Sequence, residues 1–205
     1  MSADDDASDP LSLNINRYSP EVLKEELVDV YQEAYAEYPQ YAYTSYGEIV
    51  DYFQWLKERS PLEDGFLVAS DSKEVLGFAV TDPFWEIEEQ KAGEVLELVV
   101  SPRAQGFGLG KKLLDLSINS IRQHDREIVG LEVGRFNYKA QSLYRQFGFN
   151  FFERDEEWYR MIKKCDDEED CAITSESKEN MSKPGSCGDL LIFEESPSSV
   201  GQGAG

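Results

Sequence analysis

Glu97-Leu98-Val99-Val100-Ser101-Pro102-Arg103-Ala104-Gln105-Gly106-Phe107-Gly108-Leu109-Gly110-Lys111-Lys112-Leu113-Leu114 reads as a buried strand, a short loop with alternating glycines, and the start of an amphipathic helix. That combination describes an anion site. Glycine lets the backbone approach a ligand without Cβ interference, the free N–H groups of the first helical turn point outward, and the helix dipole and Lys111 add positive potential. A pyrophosphate suits such a site. Two familiar phosphate loops are excluded: Lys111 stands where G-x-G-x-x-G needs its third glycine, and Gln105 and Lys112 replace the first glycine and the Ser/Thr of a P-loop. Glycines that cap a helix for packing alone are the bland alternative, and the strand before them and helix after them count against it.

Working outward, apolar residues at helical spacing follow the glycines at Leu109, Leu113, Leu116 and Ile121. Ile128 to Val133 predicts a strand, Asn137 to Phe147 a helix stopped by Gly148, and Phe149–Phe152 with Trp158–Ile162 a closing strand pair. Before the quoted stretch, Phe66–Ala69 and Leu76–Val80 flank the polar turn Ser70-Asp71-Ser72-Lys73 as a hairpin, and Val95 to Val100 follows an acidic loop. Further upstream, Leu11, Leu13 and Ile15 alternate as a first strand. Ser19-Pro20 opens a helix with Leu23, Leu27, Val30, Tyr31, Ala34 and Tyr38 on one face, ended by Pro39. Ser45 and Glu48 form a capping box for a second helix with the stripe Ile49, Tyr52, Phe53 and Leu56, closed by Ser60-Pro61. The expected order is β-α-α-β-β-β-α-β-α-β-β, an α+β domain with no internal repeat.

The quoted stretch resembles the acetyl-CoA loop of the GNAT acetyltransferase superfamily, Arg/Gln-x-x-Gly-x-Gly/Ala after a strand ending in Val-x-Pro, matched by Gln105, Gly108 and Gly110. A second family segment is similar in Leu131-Glu132-Val133, Asn137, Ala140, Leu143-Tyr144 and Phe147-Gly148-Phe149. The nearest motif likeness is to ribosomal-protein alanine N-acetyltransferases, through Leu-Glu-Val-x-x-x-Asn. The resemblance covers residues 11 to 164 and implies a mixed, mostly antiparallel sheet flanked by about four helices. It also implies acetyl-CoA as cosubstrate, held by the backbone of Leu98, Val99 and Val100, by the loop from Gln105 through Gly106, Phe107, Gly108, Leu109, Gly110 and Lys111, and by Asn137. One departure is the closing hairpin. Only Glu153-Arg154-Asp155-Glu156-Glu157 separates Phe152 from Trp158, where the protein-N-terminus branch usually carries a longer substrate-covering segment.

The implied reaction is attack of a neutral amine on a thioester, which needs a base, an oxyanion stabiliser and an acid for the departing thiolate. Tyr144 is the candidate acid by resemblance, since a phenol with a reference pKa of ~10 stays protonated at neutral pH. Packing on the sheet is its alternative role, and a plain N-cap is that of Asn137. For the base, Glu132, twelve residues before Tyr144, competes with Glu94 and Glu97, and a water chain needs no dedicated residue at all. His124, the only histidine, falls near the end of the helix after the glycines, where it is expected to cap carbonyls. The acidic, aromatic stretch Tyr35 to Tyr46 either encloses a cation or forms an ordered loop. A module that binds acetyl-CoA as a sensor without catalysis is the competing reading.

Composition bounds the rest. Residues 1–9 carry four acids and no base, and residues 165–205 carry ten acids and two lysines. Between them lie 27 acids and 18 bases, within a formal net charge of -21 over 205 residues. An acidic patterned core argues against nucleic acid as partner and suits a cationic amine acceptor, though solubility alone also explains surface acids. The two termini are expected to be disordered, leaving one domain over residues 10–164, with the apolar island Leu190-Leu191-Ile192-Phe193 interrupting the second tail. No metal is expected, because Cys165, Cys171 and Cys187 lack paired ligand spacing. No basic segment followed by an apolar one opens the chain, and no apolar run approaches ~20 residues, so a reducing cytoplasm is the expected setting, without membrane insertion.

Overall fold

The computed structural model describes residues 13–18, 24–60 and 65–165. Residues 1–12 and 166–205, which hold the apolar island at 190–193, and the helix start at Ser19-Pro20 lie outside the described residues. Seven strands, β1 (Asn14–Arg17), β2 (Phe66–Ser70), β3 (Val75–Ile87), β4 (Gln90–Val100), β5 (Ile128–Gly134), β6 (Asn150–Arg154) and β7 (Trp158–Lys164), form one sheet in the order β1-β2-β3-β4-β5-β7-β6. Every neighbouring pair is antiparallel except β4 and β5. Parallel neighbours need a crossover, and α3 (Leu109–Arg122) supplies it. The remaining helices are α1 (Lys24–Tyr35), α2 (Tyr46–Arg59) and α4 (Tyr138–Gln146). The mixed sheet with four helices is the expected architecture.

Each helix is docked by the stripe that its sequence spells. Leu27, Val28, Val30 and Tyr31 of α1 and Ile49, Phe53 and Leu56 of α2 pack on Phe66, Val68, Phe78, Val80 and Val99 of the sheet. The opposite face is covered by α3 and α4 through Leu113, Leu114, Ile118, Ile121 and Tyr144. Fully burying side chains of this size contributes about 1.5–3 kcal/mol each. The Ser45 and Glu48 capping box of α2 is formed in both directions. Leu116, expected on the inner face of α3, is only half-buried, and Leu114, Ser117 and Ile118 take the buried stripe instead. The α3 end is capped by the backbone N–H groups of Gln123 and His124, while the His124 ring lies beside Phe84. That corrects the expected capping role of the imidazole.

The largest departure from the sequence reading lies between Thr81 and Glu94, expected as an acidic loop. It is a long β3–β4 hairpin turning at Glu88 and Glu89, both at positive φ. Pro83 is tolerated because it sits in a register shift between Asp82 and Trp85, where the ladder does not need its missing N–H. Cys165 is buried in the second core, and its N–H donates to the Glu127 backbone carbonyl at 2.7 Å.

A second register shift positions the site. Val80 pairs with Glu97 but Thr81 pairs with Val95, so Leu96 is an extra residue in β4. A bulge bends its strand and ends pairing. β4 pairs with β5 only from Ala92↔Ile128 to Val95↔Leu131, although β4 runs on to Val100 beside β3 and β5 to Gly134 beside β7. The sheet therefore forks. Further along the same hairpin, Trp85 lies over Gly130 of β5, where an added Cβ would meet its Cζ3 at 2.5 Å. Gly130→Ala is expected to destabilise the fold by about 1–3 kcal/mol through overpacking, read as a lower urea midpoint with an unchanged slope.

Candidate active site

The fork opens a cavity of about 1160 Å³ lined from both sides of the sheet. On the α3 and α4 side stand Gln105, Gly106, Gly108, Gly110, Lys111, Asn137 and Tyr144. Gly106 and Gly108 have φ of +84° and +86°, and nothing lies within 4 Å of a Cβ built on either. Gly108 caps α3 with no side-chain hydrogen bond, so no cap residue satisfies the first N–H groups of α3. Positive φ and open space together are what a backbone cradle for an anion needs. Phe107 points to solvent at 63% exposure and Leu109 is buried beneath the helix, and neither side chain lines the cavity.

The β4 edge facing the fork is spare backbone. Leu98 N–H donates to the Glu97 carboxylate at 3.2 Å, and the Val100 carbonyl accepts from Gln105 Nε2 at 3.2 Å. Side chains thus serve groups that a neighbouring strand serves elsewhere. Asn137 caps α4 by accepting the Ala140 N–H at 3.1 Å, a bond that leaves its two amide N–H donors unused. Tyr144 is buried in the α4 core. Burial, then the charge of Glu97, raises its pKa, so it stays a phenol at neutral pH.

The other face carries the carboxylates. The bulge turns Glu94 and Glu97 toward the α1 and α2 side, where Glu132 of β5 and Arg160 of β7 also stand. The three candidate bases are held differently. Arg160 donates Nη1 to Glu94 at 2.8 Å and Nη2 to Glu132 at 2.6 Å, with its guanidinium 4.7 Å from the Trp85 ring centre. Glu97 instead accepts hydroxyl bonds from Tyr35 at 2.8 Å and Tyr52 at 2.9 Å. Burial raises the pKa of Glu97, partly offset by those two bonds. Burial likewise raises Glu94, offset by Arg160.

The Tyr35 to Tyr46 stretch walls this face. Tyr35, Tyr38, Tyr41 and Tyr43 line the cavity, whereas Tyr46 does not. Tyr41 is buried, accepts the Phe136 N–H at 3.2 Å and meets Trp158 edge-on at 5.0 Å, which ties the segment to β7. Arg160, Tyr52 and Trp158 are absent from the sequence-based site. The alternation Trp158, Arg160, Ile162 along a strand neighbouring Glu132 was the available signal for Arg160.

Glu94 is buried, and removing its cation leaves an unpaired charge. Arg160→Met is expected to cost about 2–3 kcal/mol at pH 7. Because the folded-state pKa of Glu94 is raised, that loss shrinks as acid protonates it, so urea titrations of both proteins should converge toward pH 4.

Comparison with known proteins agrees with this architecture. The profile of the Acetyltransferase (GNAT) family matches residues 24–149. An uncharacterized N-acetyltransferase of Archaeoglobus fulgidus is 37% identical over 122 residues, 58% of this chain and 82% of that protein. The crystal structure of PH1933 from Pyrococcus horikoshii OT3 superposes with a TM-score of 0.66 and 31% identity over 74% of this chain and 98% of that one. The ribosomal-protein-S18-alanine N-acetyltransferase from Escherichia coli shares the fold, with a TM-score of 0.58 and 20% identity over 83% and 99% of the two chains. Among the described residues no helix is long and apolar enough to cross a membrane. With a forked sheet, a glycine cradle at the head of α3 and a family match over most of its folded length, the chain belongs to the GNAT acetyltransferases.

Proposed function

We propose that this acetyltransferase moves the acetyl group of acetyl-CoA onto a primary amine, by direct attack within a ternary complex. The fork supports this reading: glycines at positive φ lie on one face of the sheet, a group of carboxylates on the other, and a passage between them. Bound acetyl-CoA supplies an activated thioester. The N–H groups from Gly106 to Lys111 and the Lys111 ammonium hold its pyrophosphate, with Phe107 and Leu109 contributing backbone alone. The spare edge at Leu98 and Val100 and the Asn137 amide hold its arm, Val99 between them pairing instead with Phe78 of β3, and Gln105 braces the end of β4.

Glu97 is the base in this reading. Glu94 and Glu132 are each bonded to the Arg160 cation, while Glu97 has only neutral donors and burial raises its pKa. Tyr144, across the fork, returns a proton to the departing thiolate. An acidic, tyrosine-walled acceptor face suits a cationic amine, either a small molecule or a protein amino group.

A thiol-release assay over simple alkylamines, lysine and short peptides tests this. Turnover is expected with at least one amine, and Tyr144→Phe should lower kcat roughly 10²-fold with acetyl-CoA affinity retained. Glu97→Gln should remove the acid limb of the rate profile, which lies above the ordinary carboxylate range because the Glu97 pKa is raised. Tight acetyl-CoA binding with no turnover of any amine would favour the sensor reading instead.

A further inference from the structure

A buried carboxylate without a cation needs something to keep it both ionised and aimed. The titratable groups facing Glu97 are Tyr31 and Tyr35 from α1, Tyr52 from α2 and Tyr144 from α4. All are phenols, and no cation faces it among the described residues. The Tyr35 hydroxyl donates to one carboxylate oxygen and the Tyr52 hydroxyl to the other. Their rings are fixed by further aromatic packing. Tyr35 lies against Tyr31 at 4.7 Å, and Tyr52 stacks on Trp55 at 5.9 Å and 15° and touches Tyr43 at 5.1 Å.

We propose that Tyr35 and Tyr52 are the positioning residues of acetyl transfer: one hydroxyl from each of two helices fixes the Glu97 carboxylate beside the fork and keeps it the one candidate base not neutralised by Arg160. The inference rests on Glu97 being the base. A cation in place of the tyrosines would hold the carboxylate more tightly but would weaken its affinity for the proton and repel an incoming ammonium. Two phenols stabilise the anion by hydrogen bonds alone, and remain donors throughout the working pH range because burial, and then the Glu97 charge, raises their own pKa values. In the transfer itself the ammonium proton passes to Glu97, the free amine adds to the thioester carbonyl, and the C–S bond breaks as the amide forms. The departing thiolate takes the Tyr144 proton, which the second proton of the attacking nitrogen replaces, and neither Tyr35 nor Tyr52 changes its protonation.

The experiment combines carbon-13 carboxyl NMR of glutamate-labelled protein with pH–rate profiles for the fastest amine of the screen. The resonance absent from Glu97→Gln identifies Glu97. In Tyr35→Phe and Tyr52→Phe this resonance should titrate at higher pH than in the parent, and further still in the double variant. The acid limb of kcat/KM should move with it, giving roughly tenfold lower activity at pH 7 that recovers at alkaline pH. Site-specific 3-fluorotyrosine at position 35, a stronger donor, should move both readouts the other way. A Glu97 titration that stays in place in all three Phe variants overturns the proposal. So does a titration that moves while the rate profile does not, or a uniform rate loss at every pH. An acid limb that survives Glu97→Gln sinks the base assignment itself, whereas a limb lost there but stationary in the tyrosine variants sinks only the positioning role.

Discussion

Leu96 has no partner across the β3–β4 ladder, and the site follows from that one extra residue. Without it, β4 would continue beside β5, every backbone group between Leu96 and Val100 would enter a ladder, and the sheet would be a closed wall between two helical layers. With it, the strands diverge after Val95 and Leu131, each still held on its outer side by β3 or β7. The gap is stable because the unpaired backbone is served locally, by the Glu97 carboxylate at Leu98 and by Gln105 at Val100. The bulge also sets the facing of the two glutamates, since one inserted residue reverses the alternation of side chains along a strand. One irregularity thus yields both the passage and the carboxylates at its mouth.

The charges on the acceptor face form a graded set. Arg160, steadied on Trp85, bonds two carboxylates at once, which makes burial of Glu94 tolerable and reduces the repulsion between Glu94 and Glu132. Glu97 receives no such cation. Its partners are phenols and a backbone N–H, so its burial is offset by hydrogen bonds alone and raises its pKa, which is the setting the proposed proton exchange needs.

Much of this was legible in the residues themselves. Gln105, Gly108 and Gly110 after an apolar strand point to an anion cradle because few other arrangements need glycines there. Ser45 with Glu48, and Asn137 before Ala140, announce helix starts by capping chemistry that depends only on near neighbours. What escaped notice depends on distant ones. Pro83 and the run Glu86-Ile87-Glu88-Glu89 read as a loop, since a proline with four nearby acids lacks strand character until a bulge and a partner strand accommodate it. Tyr52 reads as one more residue of an apolar stripe. Its bond to Glu97 joins positions 45 residues apart in the chain, and that of Tyr35 spans 62, beyond the reach of any local pattern.

The most direct test of the fork as the acetyl-CoA site is a titration of acetyl-CoA into isotopically labelled protein, followed through the backbone amides. Saturable shifts concentrated at Leu98 to Val100, at Gly106 to Lys111 and at Asn137, abolished by Gly108→Glu in a chain that remains folded, are the expected result. Saturable binding whose shifts fall elsewhere, or that survives Gly108→Glu unchanged, would contradict the account.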